Sequence, residues 1–193
     1  HPEAKTPASS IVWNVRLPRI LLAFIAGAGL AASGAAFQAL FANPLAAPDT
    51  LGVATGASFG AVLAILLGLG AFAIQGLSVL SGLAAIAIVM LVARGRNGES
   101  GSILMIVLAG MVVGALFTAF VSIVKFAADP QDVLPSITFW LMGSLTGASM
   151  RTILPGLPLL ILGGAILMSL RWRLNAASLP KDEAENLGIN VRL

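Results

Sequence analysis

Arg16 and Arg19 are the first residues of this 193-residue chain whose type and spacing suit them to recognition chemistry. They flank Leu17 and Pro18 just ahead of a long uncharged run. Each guanidinium can bond a carboxylate through two parallel N–H groups. The pair can equally anchor the chain at a membrane surface, because cations prefer headgroups to hydrocarbon. Asn43, Pro44 and Leu45 form a second candidate, a break at which asparagine caps or turns the chain and proline stops a helix. A third lies in Ser178 to Gly188, which reads as a short helix: Ser178 as N-cap, Pro180 in the first turn, Asp182 and Glu183 near the positive end of the dipole, then Ala184 and Leu187, with Gly188 as the stop. The plainer reading of that segment is a solvated amphipathic tail.

Covalent chemistry has no such candidates. The lone histidine is His1, and there is no cysteine, so neither a disulfide nor a thiolate metal site can form. No acidic residue, histidine or arginine interrupts the apolar runs, and Lys125 stands near the end of one, where it can snorkel. Ion-coupled transport and intramembrane hydrolysis both call for ionisable or metal-binding groups inside the membrane. The polar groups within the runs are Ser33, Gln38, Thr55, Ser58, Thr118 and Ser122, which ordinarily bond neighbouring backbone or helices. No GxxxxGK[ST] loop is present to cradle nucleotide phosphates. The expectation is a non-enzyme that binds no cofactor or metal, its energy source residing on another subunit.

The elements that position these residues are membrane spans. Hydrophobic residues make up 58% of the chain and charged residues 10%, against about 25% charged in a soluble domain. The 11 Lys and Arg are scattered rather than gathered in a stripe, which argues against nucleic acid as a partner. Ile20 to Pro48 contains no charge, and about 20 apolar residues suffice to cross roughly 30 Å of hydrocarbon. The apolar runs predict an all-α integral membrane protein of about five helices: 20–42, 51–74, 76–93, 103–128 and 153–170. Residues 1–19 would lead in, and 171–193 would form a tail. The short turn around Gly68, Gly70 and Gly76 makes the second and third helices antiparallel neighbours. The long connection from Asp129 to Arg151 suggests a partly buried re-entrant or interfacial piece.

Gly52, Gly56 and Gly60 make GxxxGxxxG, and Gly110 with Gly114 makes GxxxG, so helix backbones can approach closely in a tight bundle. Orientation does not follow from charge. Arg94, Arg96, Arg171, Arg173, Lys181 and Arg192 on one side face Lys5, Arg16, Arg19, Lys125 and Arg151 on the other, too even a division for the positive-inside rule. The chain begins at His1 rather than Met and shows no secretory leader, so further sequence is expected upstream.

Several blocks in fixed order resemble the permease subunit of bacterial ABC importers for iron-siderophores, haem and cobalamin. They are RLPR at Arg16 to Arg19, GAGLAASGAAFQALFANPLAAPDTLGVATGAS after it, LAG at Leu108 to Gly110, FWLMGSLTG at Phe139 to Gly147, LN at Leu174 and AENLG at Ala184 to Gly188. The resemblance runs through essentially the whole chain. It implies half of a ten-helix subunit, the second to sixth helices and the segment that follows, so the chain reads as a fragment. The implied protein sits in the bacterial inner membrane as a dimer, between a periplasmic binding protein and two ATP-binding subunits.

By the same resemblance, Arg16 and Arg19 would face the periplasm and meet glutamates of the binding protein. Asn43, Pro44 and Leu45 would line a cytoplasmic constriction of the pathway. Asp182, Glu183, Ala184, Leu187 and Gly188 would belong to a helix seated in the ATPase, although Pro180 and Lys181 depart from the glycine–acid pair usual before it. The second hypothesis is a truncated structural or regulatory membrane subunit that binds these partners without transport.

Overall fold

The computed structural model describes residues 7–43, 46–94 and 103–177, and among them the chain is helical with no strand. Helix α1 (Pro7–Ile11) continues through a π-helical turn at Val12–Arg16 into α2 (Leu17–Phe41). The rod therefore begins well before Ile20, the start read from the apolar run, and residues expected as a lead-in are helical. A proline inside an α-helix would press on the carbonyl four residues back. Here the N–H of Leu17 reaches back to the carbonyl of Val12, and this widened turn makes room for the buried Pro18 ring. From Ile20 to Phe41 the helix supplies about 33 Å at 1.5 Å per residue, enough to cross the hydrocarbon. Arg16 and Arg19 thus stand at the edge of the span on a helix that extends beyond it.

The second apolar run is shorter than its residues suggest. After a 3-10 turn at Pro48–Leu51, Gly52 adopts a left-handed conformation (φ 66°, ψ 11°), and α3 occupies Val53–Leu66, 14 residues. At 1.5 Å per residue that is about 21 Å, less than a bilayer needs. Gly68 (φ 66°) closes α3: the N–H of Leu69 bonds the carbonyl of Ala64 and that of Gly68 the carbonyl of Ile65, both at 3.0 Å. The chain turns at once into α4 (Ala71–Ala93), and α3 with α4 forms the most extensive helix pair of the fold, antiparallel as the short turn required. Gly76, read as part of the break, lies inside α4, where a helix passes through it freely.

Helix α5 (Ile103–Ala127) runs back across the bundle. The long connection after it contains α6 (Val133–Met142), launched by Asp129, whose Oδ1 accepts from the N–H groups of Gln131 (2.8 Å) and Asp132 (3.2 Å), and stopped by Gly143 at φ 73°. Ile137 of α6 is fully buried in a cluster with Val62, Val124 and Ala128, so this piece dips into the bundle from the end where α5 finishes. A four-residue helix α7 (Met150–Ile153) precedes α8 (Leu157–Ala177). Pro155 and Gly156 delay α8 beyond the expected start at Ile153, and it runs past Leu170, so Arg171 and Arg173 belong to the helix rather than to a tail.

Among the described residues, four helices are long and apolar enough to cross a membrane: Ser9–Phe41, Ala71–Ala93, Ile103–Ala127 and Leu157–Ala176. The core lies among α3, α4, α5 and α6. One cluster joins Phe41, Leu51, Ala85, Val89, Ala93, Ala109, Val113 and Phe117. The other gathers around Val62 and Ile137, and Phe59 packs against both. No buried residue in the described segments is polar or charged.

Candidate functional site

Two ends of the bundle carry the candidate residues. At the first, where α2, α4 and α8 begin, Arg16 and Arg19 are both exposed. Arg16 closes the π-turn and Arg19 lies beyond the buried Pro18. The buried ring and the widened turn place the two exposed side chains on a continuous helix rather than on a loose segment.

At the opposite end α2 stops in a Schellman motif. The N–H of Asn43 bonds the carbonyl of Gln38 at 3.1 Å, and the N–H of Ala42 bonds that of Ala39 at 3.2 Å. The residue bent into the left-handed region is Ala42 (φ 46°, ψ 38°), a position that glycine or asparagine usually takes. Asn43 does help to end the helix, through its backbone, and its carbonyl also accepts from the N–H of Ala46 at 3.1 Å. Pro44 and Leu45, the other residues of the proposed constriction, lie outside the described residues, as does the segment holding Asp182, Glu183, Ala184, Leu187 and Gly188.

The glycines anchor that second end. A Cβ at Gly110 would collide with the carbonyl oxygen of Thr50 and stand 2.8 Å from the Leu51 Cα, so the 3-10 turn lies directly on α5. Gly52 packs its backbone on Gly110 and Gly114 of the same helix. Gly56 and Gly60 serve a different partner: their missing side chains admit Ser81 and Ala85, and Leu77 and Ser81, of α4. The single GxxxGxxxG stripe is therefore shared between two helices. With Leu51 buried at 4% exposure beside Phe41, Ala109 and Val113, the return from α2 to α3 is held on α5 by close backbone contact and apolar packing.

Four polar residues of the apolar helices bond backbone of their own helix or its cap. Ser33 bonds the carbonyl of Leu30, Thr55 that of Gly52, Thr118 that of Gly114 and Ser122 that of Thr118, at 2.9–3.0 Å. Sequence reading missed three features. Gly82 receives Val53 and Ala57 of α3 closely. Ser149 and Thr152 form a reciprocal capping box at α7, visible in sequence only as a serine three residues before a threonine. Gln75 Nε2 donates to the carbonyl of Thr152 at 3.1 Å, tying α4 to α7, and nothing local announces it.

Among the described residues no group of histidine, aspartate and glutamate could hold a metal ion. Among the described residues the bundle has several helices long and apolar enough to cross a membrane and no buried charge, the build of a multi-pass membrane protein. The chain belongs to the FecCD transport family, whose model matches residues 2–193, and it is a multi-pass protein of the inner membrane. It is 41% identical over 181 residues to the molybdate import system permease protein MolB of Haemophilus influenzae, covering 94% of this chain and 53% of that protein. The hemin transport system permease protein HmuU of Yersinia pestis is 37% identical, over 94% of this chain and 55% of its own length. Among solved structures, an inward-facing conformation of a protein assigned as a metal-chelate type ABC transporter superposes with a TM-score of 0.85 at 39% identity, over 98% of this chain and 60% of that one. The chain spans about half the length of the curated relatives it matches.

Proposed function

We propose that this chain is part of the transmembrane permease of an ATP-driven importer that takes a metal chelate, of the siderophore-iron, haem or cobalamin class, from a periplasmic binding protein to the cytoplasm. The observation that supports the reading is similarity along nearly the whole chain to permeases named for iron chelate, cobalamin and hemin import, and to one named for molybdate, together with 39% identity to a protein described as a metal-chelate type ABC transporter. In this reading two permease subunits enclose the pathway. Arg16 and Arg19 dock the binding protein, and Asn43, Pro44 and Leu45 narrow the cytoplasmic side. The segment through Asp182, Glu183, Ala184, Leu187 and Gly188 couples to an ATPase subunit that binds and hydrolyses ATP. Among the described residues the ionisable groups of the spanning helices stand toward their ends, at Arg16, Arg19, Lys125, Arg171 and Arg173, which suits a neutral conduit opened by rigid-body rocking, with selectivity resting on the binding protein.

The test is Ala184→Pro in the full-length permease. Proline inside a helix costs about 3 kcal/mol or more and lies here outside every span, so the membrane bundle should assemble. The expected result is loss of ATPase co-purification, or loss of the stimulation of ATP hydrolysis by loaded binding protein. Wild-type levels of both would detach the segment from coupling and remove the link to ATP.

A further inference from the structure

A shallow, open depression lies at the end of the bundle where α4 and α8 begin, lined by Phe72, Arg151, Leu154 and Pro155. Its chemistry is divided: three apolar side chains and one cation, with no acidic group among the lining residues. Phe72 stands in the first turn of α4, 75% exposed, and Leu154 and Pro155 lie just ahead of α8. First turns of spans sit at the boundary between headgroups and acyl chains, the depth at which aromatic rings and basic side chains concentrate.

The walls are held from within the protein. Gln75, one turn after Phe72, bonds the carbonyl of Thr152 at 3.1 Å and so fixes α7 against α4. The Ser149–Thr152 capping box sets the conformation of α7, and the N–H of Leu154 bonds the carbonyl of Met150 at 3.1 Å. Ile153, between the two lining residues Arg151 and Leu154, is buried, which pins the segment to the bundle. A site already ordered in this way loses little freedom on binding.

We propose that this depression binds one anionic phospholipid, its phosphate on the Arg151 guanidinium and an acyl segment along Phe72, Leu154 and Pro155. The guanidinium fork matches phosphate oxygens, and its positive charge, with no carboxylate beside it in the lining, favours a headgroup that carries no ammonium of its own. The full-length permease, purified in mild detergent and loaded with phosphatidylglycerol, should retain lipid through extended washing. Arg151→Gln should retain about fivefold less, the change expected from one basic contact to an anionic lipid, whereas Arg173→Gln, at the other end of α8, should match wild type. A second readout needs no altered charge. A fluorophore on Leu154→Cys should be quenched by brominated phosphatidylglycerol at lower mole fraction than by brominated phosphatidylcholine. Equal retention by wild type and Arg151→Gln, equal quenching by the two lipids, or no quenching because protein covers the groove, would each overturn the site.

Discussion

Gly52 and Gly114 bring two helix backbones into contact: a Cβ at Gly52 would lie 2.8 Å from the Gly114 amide nitrogen and 2.9 Å from its Cα. The two residues are far apart in sequence, and no side chain stands between them. Through this contact the turn that follows α2 is attached to α5, the longest uninterrupted α-helical span beside α2.

Substitution at this crossing should therefore be graded by distance. Gly110→Ala drives a methyl into the Thr50 carbonyl and should cost about 1–3 kcal/mol by overpacking. Gly52→Ala adds a left-handed strain of roughly 1–2 kcal/mol to its own clash. Gly114→Ala, whose Cβ would find its nearest atom at 3.4 Å, should be milder. Gly27→Ala and Gly34→Ala meet nothing within 4 Å and should gain about 0.5–1 kcal/mol as helix formers. Thermal unfolding midpoints of the full-length permease in detergent check the order.

Ala42 holds a left-handed conformation that costs an L-residue about 1–2 kcal/mol. Ala42→Gly should leave stability unchanged or raise it by up to about 1 kcal/mol, since glycine loses the strain but also more chain entropy. Ala42→Val, branched at Cβ, should lower it. A lower midpoint for the glycine variant than for wild type would mean that the turn is not left-handed in the membrane.

Reversal of the charge pair, Arg16→Glu with Arg19→Glu, should abolish uptake in the full-length permease while leaving the complex assembled, because both side chains are exposed on a stem held by Pro18. Affinity for the purified binding protein should fall most at low salt, where surface charges are least screened. Unchanged affinity across salt concentrations would return the arginines to anchoring the helix at the membrane surface.

Orientation can be read with single cysteines, since this chain has none of its own. Gly70→Cys, at the exposed turn between α3 and α4, should react with an impermeant thiol reagent in intact cells, and Gly98→Cys should not. Labelling with the two positions exchanged would invert the topology.

Much of this was legible in the residues. The charge-free run after Arg19 and the 10% of charged residues demand helices in lipid, because only a helix or a closed barrel satisfies every backbone group there. The short glycine turn at 68–70 forces α3 and α4 to be neighbours, and the GxxxG spacing announces close backbones. The ends were less legible. The apolar run places the start of the first helix at Ile20, yet a π-turn carries a helix through Pro18 from Pro7 onward, and the gain from a continuous rod is a tertiary and membrane matter that propensity does not record.

The sequence by itself determined the class of protein: a glycine-rich chain with 10% charged residues and long charge-free apolar runs reads as a bundle of membrane helices, since those runs are long enough to cross the hydrocarbon. Tertiary structure decided the partners. Gly52, the cap ahead of α3, meets α5, while Gly56 and Gly60 inside α3 meet α4, each where a missing side chain lets a neighbouring helix approach closely. It also decided that α3 stays at 14 residues and that Gln75 reaches Thr152, 77 positions away. Such pairings depend on where whole helices lie in space, and no local stretch of residues carries that information.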